Sequence, residues 1–365
     1  VKATLYRANV HYQALQLYTA ASGSVTALEE LYLLLEADGV CGLGEVRVNI
    51  AYLNGYSPEQ VLSDVMRALR RLDLSQSAST LLLTLETQLA GCLAPTRMLI
   101  DIALHDLFAR QQGLSVAQLI GTQHPLPISY STNQTLFWAP DEQMLQQARA
   151  YVERGFTQLK LRIAVGSFTH DLKRIAALRD RFGDDISLSA DANGQWRPDE
   201  ALAKLQALAP FSLSYLEQPL ADKDAHHYAA LAAASPIPLM LDESMSNEND
   251  LERIIALRGQ VWAHLKLVKM GGIAPVLRAA QRLQAANIPF MIGQMNEGGA
   301  ATSAALHVAH ACRPAYAELY GADGAADDPA SGLRYSQGLV SSPNGAGLGI
   351  AFDPAQAQFI QEFNS

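Results

Sequence analysis

Between Lys160 and Lys266, charged side chains recur at the ends of short apolar runs with nearly constant spacing, and this period restricts the folds open to the chain. Lys160 and Arg162 end LKLR, Asp191 ends SLSAD, Glu217 follows SLSYL, Asp242 follows IPLML, and Lys266 sits in AHLKLV. From Asp191 the successive intervals are 26, 25 and 24 residues, each about one strand plus one crossover helix. Such a period gathers acidic groups only if the strands are parallel and curl into a barrel, with the functional groups at their C-terminal ends. Three acids from successive strands, with no His or Cys beside them, make an oxygen-rich site of the kind that suits Mg2+.

The rest of the chain can be fitted around that barrel. At 365 residues it is long enough for one large and one smaller domain. The expected division is an α+β capping domain over residues 1–122, a modified eight-stranded α/β barrel over 123–325, and a return to the cap over 326–365. In the cap, ELYLLLEADG and EVRVNI read as strands, Ser57-Pro58-Glu59 opens a helix, and RMLIDIALHDLFARQQG reads as a longer apolar-faced helix. Asp101, His105 and Asp106 on that helix precede the regular strands, so packing, capping or domain contact is their expected task. The first barrel strand is expected at residues 128 to 133 (ISYSTN), and the last two in PFMIGQ and AYAELY.

Net charge of -9 argues against a general nucleic-acid surface. No run of 18 apolar residues suggests a membrane span, and the opening VKATLYRANV lacks a signal peptide's apolar block. Cys41, Cys92 and Cys312 lie far apart without metal-ligand spacing, which fits reduced thiols and a cytoplasmic location. The glycines of AGLGI near 346 to 350 lack the strand and helix context of a nucleotide fingerprint.

Asp191, Glu217 and Asp242 are the expected metal ligands. Each alone also fits a helix cap or a solvated loop acid, but three at matching strand ends do not. Glu243 has the opposite strand direction and is a weaker ligand. Asn193 suits orienting the metal shell, although DANGQW is also an ordinary Asn-Gly turn. Lys160 and Arg162 share one inward strand face, and Lys266 shares another with His264 and Val268. Lys269 differs from Lys266 in phase. Gln294, Glu297 and Asp323 are further candidates at the mouth, for substrate contact or support of the site. His307 and His310 fit helix packing or surface positions.

Proton removal beside a carboxylate joins these groups. One Mg2+ per site stabilises the charge of an enediolate, Lys266 is the principal base, Lys160 neutralises an enolate oxygen, and Arg162 supplies a permanently charged fork.

The chain resembles the muconate-lactonizing (mandelate racemase/muconate lactonizing enzyme) subgroup of the enolase superfamily. The resemblance rests on LKLR at 159 to 162, DAN at 191 to 193, EQP at 217 to 219, DES at 242 to 244 and LKLVKMGG at 265 to 272. It implies a modified TIM barrel with a cap completed by the C-terminal tail, Mg2+ on Asp191, Glu217 and Asp242, and Lys266 as base. It also implies that loops near 18 to 27 and 49 to 57 close over a small carboxylate substrate. The family pattern on the second strand is Lys-x-Lys, whereas here it is Lys160-x-Arg162. Because Arg162 is a poor reversible acid, one-base cycloisomerisation or dehydration ranks first. Racemisation or epimerisation of an amino-acid derivative or dipeptide is the alternative, and a metal-stabilised, noncatalytic small-ligand-binding barrel is the non-enzyme one. Assembly into a homo-oligomer is compatible with the chain.

Overall fold

The computed structural model describes residues 1–13, 17–19 and 21–364. Its N-terminal part is a four-stranded antiparallel sheet in the order Gln358–Phe363, Lys2–Val10, Leu28–Ala37, Val40–Arg47. The C-terminal strand therefore pairs with the first one and returns the chain to the cap. The strand expected over EVRVNI ends at Arg47, and it does not alternate in burial. Helix Ala94–Gln111 covers it so closely that a Cβ at Gly44 would collide with the Leu99 carbonyl. Burial on nearly every side explains why this helix is apolar around most of its circumference.

On this helix the three polar residues act as joints. Asp101 caps the helix Ile273–Ala285 at Ile273 N, and the His105 ring bonds the Asp101 carbonyl at 2.8 Å. Asp106 accepts from Leu43 N at 2.8 Å and from Leu348 N at 2.7 Å. One buried carboxylate thus ties helix, sheet and tail together.

The largest sheet is eight-stranded and parallel, running Gln134–Leu136, Gln158–Arg162, Ser187–Asp191, Leu216–Glu217, Leu239–Leu241, Val261–Lys266, Phe290–Gly293 and Tyr316–Glu318. Asn133 N donates to Ala317 O at 3.0 Å, and Leu319 N donates to Thr132 Oγ1 at 2.8 Å, so the first and last strands meet. A helix follows each of the first seven strands. Among the described residues no α-helix follows the eighth, where the short strands of the tail take over.

The first barrel strand is later than expected. Ser129–Ser131 pairs antiparallel with Leu339–Ser341 of the tail, and the barrel begins at Gln134. Both segments read as strand, and alternation does not say which partner an edge will find. Among the described residues no helix is long and apolar enough to cross a membrane.

Candidate active site

The second strand turns Lys160 and Arg162 into the barrel, and the third, fourth and fifth deliver Asp191, Glu217 and Asp242 to the same mouth. All five are buried. Buried charges persist only when paired, and here the pairs interlock. Lys160 Nζ lies 2.8 Å from Glu217 and 3.9 Å from Asp191, and also bonds Glu318. Arg162 is paired with Asp191. Lys266 Nζ and Lys269 Nζ each sit 2.6 Å from Asp242, on different oxygens. His264 Nδ1 is 2.9 Å from Glu217 Oε1.

The turn after the third strand is locally constrained. Asn193 and Gly194 both take positive φ, a conformation that Asn and Gly tolerate best. That turn folds Asn193 N onto Asp191 Oδ1 at 2.7 Å and sends the Asn193 amide toward Glu243 at 3.2 Å. Gln218 fastens the neighbouring loops, since its Oε1 accepts from Asp242 N at 3.0 Å and Ser244 N at 3.2 Å. Its Nε2 donates to Ser244 Oγ at 2.7 Å. The Q of EQP and the S of DES therefore hold Asp242 in place, a task not evident from the sequence.

Electrostatics follow the pairing. Burial disfavours the Glu217 carboxylate, but Lys160 and His264 outweigh it and hold its pKa low. Burial likewise opposes the Asp242 anion, while Lys266, Lys269 and His264 hold it well below the usual carboxylate range. Burial pulls Lys160 down, and Glu217 and Glu318 overcome this and raise it. For Lys266, burial is outweighed by Asp242, Glu318 and Glu217, so its pKa is raised. For Lys269 burial prevails and the pKa falls. Burial and Asp242 push Glu243 up to about 7.

Glu217, Asp242 and His264 each place one donor atom within 4.8 Å of the others. His264 thus joins two of the three expected ligands, while Asp191 is turned toward Arg162. Lys269 comes as close to Asp242 as Lys266 does because a short helix, Leu267–Met270, starts directly after the sixth strand and turns it back. Glu318, bonded to Lys160, is a further member that no sequence motif marks. Its inward phase at the end of the eighth strand was the available signal.

The remaining candidates are dispersed. Gln294 is buried, with neither side-chain polar atom partnered among the described residues. Glu297 belongs to a second carboxyl group under the cap, where burial pushes it up to about 7. Asp323 is held by Arg154 and Gln134, both at 2.8 Å. His307 Nδ1 accepts from Ala117 N at 2.9 Å and packs helix against cap. Between cap and mouth lies a cavity of about 910 Å³ lined by Ala21, Tyr52, Tyr56, Asn193, Glu243 and Lys269 among others. Both loops expected over substrate contribute to it; Ala20, within the first, lies outside the described residues.

Residues 143–356 match the enolase C-terminal domain-like family, which defines the class of the barrel. Residues 5–121 match the mandelate racemase/muconate lactonizing enzyme N-terminal domain, and the chain belongs to that family of the enolase superfamily. It is 31% identical over 343 residues to an L-Lys-D/L-Arg epimerase of Desulforapulum autotrophicum, covering 91% of this chain and 94% of that protein. It is 28% identical over 313 residues to an N-succinyl-L-Arg/Lys racemase of Bacillus cereus, covering 82% and 83% respectively. The structure of a dipeptide epimerase from Cytophaga hutchinsonii, complexed with Mg and D-Ala-L-Val, superposes with a TM-score of 0.90 at 25% identity. That match covers 100% of this chain and 99% of that one.

Proposed function

We propose that this enzyme removes the proton alpha to the carboxylate of a small amino-acid derivative and returns one to the opposite face, as a metal-dependent racemase or epimerase. The observation that carries the chemistry is the placement of Lys266 on the sixth strand, across the carboxylate cluster from Lys160 and Arg162 on the second. The substrate class is supported by similarity to the epimerase and the racemase, and it reverses the ranking drawn from Arg162 alone.

The donor set fits a hard divalent cation such as Mg2+. Asp191, Glu217 and Asp242 offer oxygens, they are buried, and Glu217 and Asp242 are held as anions. Those three would hold one ion, with His264 orienting Glu217 through Nδ1. When bound, such an ion stabilises negative charge developing on the substrate carboxylate. Lys266 takes the alpha proton from its own side of the substrate. Lys160 offers its ammonium to the enolic oxygen, and Arg162 fixes Asp191 without exchanging a proton.

A second reading, cycloisomerisation or dehydration with Lys266 as sole base, is favoured by Arg162 where a two-lysine strand would place another base. Incubation of each enantiomer of N-succinyl-lysine, and of each of L-Ala-L-Glu and L-Ala-D-Glu, with enzyme and Mg2+ in deuterated water, followed by chiral chromatography and mass spectrometry, separates the two. Interconversion with deuterium at the alpha carbon supports the racemase or epimerase. Exchange confined to one configuration supports the one-base reading, and exchange with neither substrate contradicts the proposed activity.

A further inference from the structure

The charged side chains lining the cavity of about 910 Å³ between cap and mouth are Arg97, Asp222, Glu243 and Lys269. Lys269 is bonded to Asp242 at 2.6 Å, Glu243 accepts from the Asn193 amide at 3.2 Å, and Asp222 is exposed. Arg97 is half-buried, and its guanidinium has one partner among the described residues, the Cys92 carbonyl at 3.0 Å from Nη1. Asp101, one turn further along the same helix and placed to pair with it, is engaged instead with Ile273 N and with His105 at 3.4 Å. Arg97 therefore faces the cavity as a cation without an anion.

The helix that carries Arg97 does not explain its place. It lies in the first turn of Ala94–Gln111, a helix with no acid in that turn and no side-chain cap, where the helix dipole repels a cation. Packing nevertheless fixes the group. A Cβ on Gly271 would come within 2.7 Å of Arg97 Nε and 3.1 Å of Nη2, so the guanidinium lies directly on that glycine. Gly271, at positive φ, closes the short helix Leu267–Met270 that holds Lys269 on Asp242. One turn of backbone thus joins Arg97 to the carboxylate cluster along the cavity wall. Arg97 also borders a groove of about 510 Å³, lined largely by leucines, Met270 and Pro275, that contains none of the residues bonded to Asp191, Glu217 or Asp242.

A guanidinium held in place with donors left over suits a carboxylate, whose two oxygens match its planar fork. The carboxylate beside the reacting carbon belongs at the barrel cluster. We propose that Arg97 binds a second carboxylate of the substrate, which is therefore a dicarboxylate whose N-acyl group or side chain ends in an anion. This assignment rests on the racemase or epimerase reading and narrows its amino-acid derivative to one with two acidic groups. Arg97 recognises and orients that end of the molecule and exchanges no proton.

The test compares substrates that differ only in the second charge: N-succinyl-L-lysine with its terminal carboxamide, and L-Ala-L-Glu with L-Ala-L-Gln. Each is followed with the full chain and Mg2+, by calorimetric binding and by alpha-deuterium incorporation in deuterated water. Wild type should prefer the charged member of one pair by about 10- to 100-fold, in Kd and KM rather than in kcat. The pair that responds tells whether the carboxylate sits on the acyl group or on the side chain. Arg97→Met should remove most of the preference, and Arg97→Lys should retain part of it, because an ammonium keeps the charge without the fork. Absence of any preference in wild type overturns the assignment with no variant needed. So does a folded Arg97→Met that keeps the full preference, or one that weakens charged and neutral members equally, the pattern of a structural role. Preferential binding without deuterium incorporation leaves Arg97 its role and contradicts the proposed reaction, whereas incorporation without preference leaves the reaction standing. A wild type that neither binds nor exchanges any of the four overturns both.

Discussion

Two groups of carboxyl side chains are buried in this protein, and their charge balance is opposite. In the barrel, Asp191, Glu217, Asp242 and Glu318 face Lys160, Arg162, Lys266 and Lys269, and each carboxylate has at least one cationic partner. At the joint between cap and barrel lie Glu30, Glu45, Glu297 and Asp328, and Arg47 is a nearby cation for Glu30 and Glu297. Arg47 is itself bonded to Asn49 and to the Asn296 carbonyl. Glu45 instead accepts from Ala300 N and Ala301 N at 2.7 and 2.8 Å, and Asp328 accepts from Gly299 N at 2.6 Å, all at the N-terminus of helix Gly299–Cys312. Neither Glu30 oxygen has a partner among the described residues.

The consequence is a difference in protonation. Glu217, Asp242 and Glu318 are held as anions by their cations against burial. Burial, reinforced by neighbouring carboxyls, raises Glu30 and Glu45 well above the usual range. A gathering of acids therefore does not by itself mark a metal site. Cations hold the barrel carboxylates as anions, whereas burial favours the protonated form at the joint between the two parts of the fold.

The largest effect on stability should come from breaking the balanced side. Asp242→Asn leaves Lys266 and Lys269 buried without their carboxylate, and in metal-free buffer this should cost roughly 3–5 kcal/mol in urea unfolding. A loss below about 1 kcal/mol would mean that these lysines shed their protons instead. Gly293→Ala tests the packing under the same cluster. A Cβ there would strike His264 Nε2, so about 1–3 kcal/mol should be lost, together with some Mg2+ affinity through the displaced Glu217. Unchanged stability would show that His264 can move aside.

The joint should respond in the other direction. For a carboxyl whose pKa is raised on folding, the native state holds more protons than the unfolded one above the unfolded value of 4.5. Stability is then full below that pH and falls as pH rises. Glu297, pushed up to about 7, places its part of the loss between 4.5 and 7, and Glu30 extends the loss upward. Glu30→Gln should therefore stabilise the protein on the order of 1 kcal/mol at pH 8 and do little at pH 4. Equal thermal melts of variant and wild type at both pH values would remove the protonation contrast.

The sequence showed the barrel cluster more clearly than the joint. Regular spacing and inward phase are properties of single strands, so Lys160, Arg162, Asp191, Glu217, Asp242 and Lys266 could be placed at the mouth before any contact was known. Glu318 follows the same rule but sits in AYAELY, whose strand carries no neighbouring motif. Lys269 was discounted because strand phase was carried past Lys266, where a helix begins. Glu30, Glu45 and Asp328 converge from distant segments across the cap–barrel boundary, which no local pattern encodes. The start of the barrel was misplaced for a related reason, since the partner of Ser129–Ser131 lies more than 200 residues away in the tail.

Calorimetric titration of Mg2+ tests the central contrast most directly, using wild type, Asp191→Asn, Glu217→Gln and Asp242→Asn, with Glu30→Gln as the joint variant. The account predicts one ion per chain in wild type, affinity weakened by at least about tenfold in each barrel variant, and unchanged affinity in Glu30→Gln. Full affinity in all three folded barrel variants, or loss of binding only in Glu30→Gln, would contradict it.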